Sequence, residues 1–228
     1  MAVGAQLNPP GSLTELRDRL SSQVDTILRR SAELGFLGSM PIPDQIDHAL
    51  GFVFAAESEI HGPPGSVLDL GTGGGIPGLV LLSCWPDCRV VLLDVSERRT
   101  SFLTEQTAGW RRNGPLEVVR DRAENVGRDE RFRQHFDVVV SRSFGAPAVT
   151  AECAAPLLYP GGALIVSEPP DGTASERWPS DGLARLGLMA SVQARFDGRF
   201  SYQVLVKAGP TPDAYPRRVG VPAKRPLF

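Results

Sequence analysis

Cysteine is scarce in this chain: Cys84, Cys88 and Cys153 are the three among 228 residues. So small and odd a number excludes a disulfide scaffold, and no histidine or third cysteine stands near the Cys84/Cys88 pair to complete a metal set, so free thiols are expected. Long apolar runs are also missing. The longest, Leu79 to Trp85, is interrupted by Ser83 and falls far short of the ~20 residues that cross a bilayer. Met1 to Pro10 lacks a basic start followed by an apolar stretch, so no secretory signal is read and a cytoplasmic location is expected. Neither sign of charge dominates: a net charge of −2 argues against a uniformly basic nucleic-acid binder. Repeats and long low-complexity segments are absent too. What is present, 42% hydrophobic and 22% charged residues, is the composition of an ordinary folded domain. The length fits one large domain or one domain with an appended arm.

Three regions follow from the patterning: a helical preface over 1–65, an α/β domain over 66–208 and a basic tail over 209–228. In the preface, Ser12 and Glu15 form a capping box ahead of Leu13, Leu16, Leu20, Val24 and Ile27, whose spacing predicts one amphipathic helix fading near Gly35. Asp44 can cap a second helix. From Ser66, short apolar runs alternate with helix-length segments, the pattern of a parallel sheet with helices on its faces. The predicted strands are Val67–Leu70, Val90–Leu93, Leu116–Val119, Phe136–Val140 and Ala163–Ser167, with helices near Pro77–Ser83, Glu97–Arg111 and Pro147–Leu158. Ala190–Phe196 and Tyr202–Lys207, joined by Asp197-Gly198-Arg199, predict a closing antiparallel hairpin. The expectation is a Rossmann-like, mainly parallel seven-stranded sheet.

The first strand runs into Gly71-Thr-Gly73-Gly-Gly75-Ile-Pro77-Gly78, a turn in which glycines let the backbone approach a ligand. In the register Gly73, Gly75, Gly78 it fits a dinucleotide fingerprint, with Asp94 at the distance of a ribose-binding acid. An acidic Asp69 two residues before the first glycine is instead the mark of the methyltransferase version of this fold, whose ligand, S-adenosylmethionine, has no pyrophosphate to cradle. Both cofactors stay open on the loop alone. Asp121-Arg-Ala123-Glu124 and Ser141-Arg142-Ser143-Phe144 follow the third and fourth strands, at the sheet edge where ligands bind in open α/β folds. Arg217, Arg218, Lys224 and Arg225 place four cations and no acidic side chain in the last twelve residues. Interleaved with Pro216, Pro222 and Pro226, they predict an extended segment that binds RNA phosphate.

Four segments together resemble the bacterial 16S rRNA guanine-N7 methyltransferase family, first known as glucose-inhibited division protein B: Asp69 to Gly78, Leu92 to Leu103, Arg122-Ala-Glu124 with Ser141-Arg142, and the tail Tyr215 to Leu227. The resemblance implies an S-adenosylmethionine-dependent methyltransferase acting on 16S rRNA or the small ribosomal subunit. It implies cofactor contacts at Gly71, Gly73 and Ile76, ribose binding by Asp94, adenine contacts by Ala123 and Glu124, and Arg142 beside the cofactor facing the substrate; Asp69, on its own reading as a polar strand end, is expected at the amino-acid end of the cofactor. The family's usual residues are replaced by Gly51-Phe52-Val53 after His48, and by Glu168-Pro169 after the fifth strand. His48 is expected to pack or cap. The acid at 168 keeps a small-molecule or other RNA substrate open, and a non-catalytic cofactor-binding protein anchored to the ribosome is the alternative of another class.

Overall fold

The computed structural model describes residues 13–110, 113–169 and 174–228. The preface holds three helices, α1 (Leu13–Asp18), α2 (Ser22–Glu33) and α3 (Ile42–Ile60). The single first helix expected from the apolar spacing is therefore broken. Ser21 adopts an extended backbone and its side chain accepts from the Gln23 N–H, so it caps a second helix that the periodicity alone runs through. Ser12 of the capping box lies outside the described residues. α3 begins two residues before Asp44, with Pro41 at its cap and Pro43 in its first turn; Asp44 instead pairs with Arg199 at 3.0 Å.

The α/β region runs β1 (Ser66–Leu70), α4 (Gly78–Cys84), β2 (Arg89–Asp94), α5 (Glu97–Thr107), β3 (Leu116–Arg120), α6 (Ala123–Val126), β4 (Phe136–Ser141), α7 (Pro147–Ala154), β5 (Leu158–Glu168), α8 (Ala174–Arg177), α9 (Ser180–Ala184), β6 (Leu188–Phe196) and β7 (Phe200–Lys207), followed by α10 (Val221–Lys224). The seven strands order as β3-β2-β1-β4-β5-β7-β6, parallel as far as β5, with β7 antiparallel to both neighbours. The strands expected from the apolar runs are all present. α7 stops earlier than expected, because the chain turns at Ala155–Leu157 and enters β5 directly.

Both sheet faces are buried, and successive residues divide between them. Val67, Val90, Leu92, Val138, Val140, Ala163 and Ile165 join the preface and α4 in one core; Leu68, Leu70, Val91, Leu93, Val139, Leu164 and Val166 join α6, α7 and α9 in the other. This explains why the strands read as unbroken apolar runs. The preface is locked to the sheet by polar ties as well as by packing. Glu57 accepts from Arg19 and from Trp85 Nε1, both at 2.8 Å, and buried Asp47 bridges Arg17 and Arg199. Among the described residues no helix is long and apolar enough to cross a membrane. The strand order reverses between β1 and β4, which opens a crevice at their carboxyl ends.

Candidate active site at the carboxyl edge of the sheet

The glycine loop follows β1 with Gly71, Gly73 and Gly75 all at positive φ, 75°, 57° and 101°. The N–H groups of Gly71 and Thr72 both donate to the Leu93 carbonyl, and the Gly73 N–H donates to Asp94 Oδ2 at 2.9 Å. Asp94 Oδ1 accepts from the Ser96 N–H at 2.8 Å. The loop is thus fixed by the end of β2. Gly71, Asp94, Ala123 and Glu124, four of the residues expected at a cofactor, line one cavity of about 340 Å³, with Val95, Arg99, Phe144, Val149, Cys153 and Ala223. Ile76 stands elsewhere: its side chain is buried in the core on the preface side, so its expected contact is limited to what the backbone offers.

Asp69 lies beneath this loop, fully buried, with Oδ2 accepting from the Gly78 N–H at 2.8 Å. A Cβ on Gly78 would come 2.7 Å from that oxygen, which accounts for the glycine. Burial pushes the Asp69 carboxyl up to about 6, opposed by Thr72, the Gly78 N–H and Arg142. Arg142 leaves the end of β4, where burial lowers its guanidinium, and Nη2 donates to Gln45 Oε1 of α3 at 3.2 Å. His48, also on α3, lies between Phe52, Phe200 and Tyr202, with ring centroids 4.9–5.7 Å away. Burial, seconded by Arg142, lowers its imidazole to about 4.

A second cavity of about 320 Å³ adjoins the first and shares Ser143 and Phe144 with it. Its wall includes His48, Ser141, Glu168, Pro169, Arg177 and Trp178. The Phe144 ring stands where a side chain on Gly71 would be, 2.7 Å from a Cβ built there. Among the described residues, six buried side-chain polar atoms lack a hydrogen-bond partner. His48 Nδ1 and Ser141 Oγ belong to residues that line this second cavity, while Asp69 Oδ1, Thr72 Oγ1 and Arg142 Nη1 belong to residues outside both linings, where the Thr72 hydroxyl still acts on the Asp69 carboxylate.

Glu168, the acid at the end of β5, is not presented to this cavity as a free anion. Its side chain is 1% exposed, Oε2 accepts from Arg177 Nε at 2.6 Å and Oε1 from Trp178 Nε1 at 3.1 Å. Arg177 and Trp178 were not singled out by the sequence, because they sit in a segment rich in Pro and small polar residues that reads as a loop.

The tail is not the extended arm expected from its prolines. Arg217 donates from its backbone N–H, Nε and Nη2 to the fully buried Glu152 carboxylate of α7, at 2.8, 2.8 and 2.6 Å. Its guanidinium is committed to that acid, so the expectation that Arg217 binds RNA gives way. Arg218, Lys224 and Arg225 remain exposed. Tyr215, Leu227 and Phe228 pack against the core on the α7 face.

The sequence model described as rRNA small subunit methyltransferase G matches residues 43–168. The ribosomal RNA small subunit methyltransferase G of Moorella thermoacetica is 35% identical over 170 residues, 72% of this chain and 70% of its own length. That of Symbiobacterium thermophilum is 34% identical over 199 residues, 82% of this chain and 78% of its own. Among solved structures, an O-methyltransferase from Bacillus cereus in complex with SAH superposes with a TM-score of 0.57 at 17% identity, covering 82% of this chain and 90% of that one. The fibrillarin pre-rRNA processing protein of Methanococcus jannaschii gives 0.53 at 13% identity, covering 69% and 75%. These two likenesses are of fold. On the sequence match, which spans the glycine loop, Asp94, Glu124 and Arg142, the chain belongs to the rRNA small subunit methyltransferase G family.

Proposed function

We propose that this chain uses S-adenosylmethionine to methylate N7 of a guanine in 16S rRNA, free or within the small ribosomal subunit, in the cytoplasm. The observation that carries this reading is that Gly71, Asp94, Ala123 and Glu124 line one cavity, adjoined by a second whose wall carries the unpartnered His48 Nδ1 and Ser141 Oγ. A buried polar group without a partner costs about 1–3 kcal/mol. Two such groups on a cavity wall near the reversal point of the sheet are open to a ligand that completes them.

When bound, S-adenosylmethionine supplies a methyl group carried on a sulfonium. In this reading Asp94 holds the ribose hydroxyls from the side of its carboxylate that Gly73 leaves open, and Ala123 and Glu124 border the adenine. Asp69, with Gly71 and Gly73 above it, faces the amino-acid end. Arg142, between Ser141 and Ser143 at the end of β4, orients the guanine. Guanine N7 bears a free lone pair, so no side chain has to remove a proton; the residues align the reacting atoms, and alignment alone supplies up to roughly 7–11 kcal/mol in intramolecular models. An uncharged His48 beside the second cavity fits this requirement. Exposed Arg218, Lys224 and Arg225 take RNA phosphates. The Glu168–Arg177 pair supports an RNA substrate, since the wall at that point carries a half-exposed cation over a neutralised acid.

The test is transfer of labelled methyl from S-adenosylmethionine to small-subunit particles and to free 16S rRNA, with the modified base mapped. Label on N7 of one guanine is expected. Label on another atom would overturn the N7 assignment, and no transfer to either RNA would overturn the substrate.

A further inference from the structure

We propose that the C-terminal segment, Tyr215 to Phe228, is a wall of the cofactor pocket latched by the Arg217–Glu152 ion pair, so that cofactor affinity depends on the tail. The identity of the ligand rests on the function proposed above; the placement of the tail does not. Ala223 of α10 lines the 340 Å³ cavity directly. Three residues earlier in the chain, the Gly220 N–H donates to Glu124 Oε1 at 2.9 Å, so the tail also holds a second side chain that lines this cavity. Glu152 lies on α7, the helix that contributes Val149 and Cys153 to the same cavity. An acid with no exposure requires a partner held in place, and Arg217 meets it with three donors. Arg217 Nη2 also donates to the Arg225 carbonyl at 2.7 Å, closing the segment around Ala223.

Packing fixes both ends. Pro216 lies against Gly127 at the end of α6, where a Cβ would come 2.9 Å from its ring, and Phe228 occupies the space beside Gly182. Pro222 is buried between them. One short segment therefore carries both Ala223, exposed at the cavity wall, and the exposed cations Arg218, Lys224 and Arg225.

Calorimetric titration of the full-length chain with S-adenosylmethionine tests this in two variants, Ala223→Trp and Arg217→Lys. Ala223→Trp at an unchanged melting temperature should weaken binding at least ten-fold by filling the cavity. Arg217→Lys, which keeps the charge but loses the paired donors, should weaken it less. Wild-type affinity in Ala223→Trp together with Arg217→Lys would overturn the tail as a wall. If the wild-type chain itself did not bind S-adenosylmethionine, the cofactor assignment would fail first and this inference with it.

Discussion

The Gly73 N–H and the Ser96 N–H grip opposite oxygens of Asp94, so the carboxylate that faces the first cavity is also the post on which the glycine loop is hung. Asp94→Ala removes both functions and should weaken S-adenosylmethionine by about 1.5–3 kcal/mol, the scale for hydrogen bonds to a charged group. Asp94→Asn keeps one acceptor for the loop and should lose less. Calorimetry on the two variants separates the contributions, and an unchanged affinity in a folded Asp94→Ala protein would remove Asp94 from the site.

Arg142 has one hydrogen-bond partner among the described residues, the Gln45 amide oxygen, and one buried nitrogen with none. Its loss should therefore leave the melting temperature nearly unchanged while lowering turnover about 10²-fold, the scale for one oriented donor lost at a reacting centre. Intact specific activity in an Arg142→Ala protein that melts early would make it a structural residue instead.

His48 and Asp69 give the protein opposing responses to acid. A free histidine protonates near 6.5 and His48 near 4, so the unfolded chain binds the extra proton between those values and the fold weakens as pH falls from 6.5 to 4, by up to about 3 kcal/mol. The Asp69 carboxyl, raised to about 6 from 3.8, takes its proton first in the fold and so adds stability as pH falls through 6. Melting temperatures of the wild type and His48→Gln, measured from pH 7 to pH 4.5, should diverge, with the variant losing less on acidification. Parallel curves would contradict the placement of a neutral imidazole there.

Arg177→Ala leaves the Glu168 carboxylate buried beside Trp178 with half of its partners gone. Because Arg177 is 38% exposed, the expected cost is about 1–3 kcal/mol, below that of a fully buried pair. Glu168→Gln in the same chain should restore part of it. Denaturant midpoints of the two single variants and the double variant read the coupling, and strictly additive losses would deny that the pair is a unit.

The sheet was legible because both of its faces are covered: every strand is a short apolar run, and the glycines and acids that end those runs fall along one edge whichever helices intervene. The cofactor-side residues Gly71, Asp94, Ala123 and Glu124 gather there for the same reason. What escaped the sequence depends on side-chain pairings that no local pattern marks, whether between distant segments or across a loop. Nothing local marks Arg217 as the partner of Glu152, 65 positions away, or Arg177 as the cation over Glu168. The break at Ser21 was hidden because the apolar spacing continues across it. Gly51 became intelligible once β7 was in place: the Tyr202 ring and hydroxyl occupy the space a side chain there would need, and that hydroxyl donates to the His48 carbonyl at 2.6 Å.

The Ser31 hydroxyl of α2 donates to the Gly74 carbonyl at 2.9 Å, and a Cβ on Gly74 would run into Ser31 and come within 2.6 Å of Leu37 and 2.9 Å of the Phe36 carbonyl. The helical preface and the glycine loop therefore share one small volume. Drift in the two regions is yoked: a side chain at position 74 becomes tolerable only where positions 31 and 37 shrink or the helix backs away. Among diverging descendants of this chain, the least motif-like part of the sequence would then keep pace, substitution for substitution, with the most motif-like part.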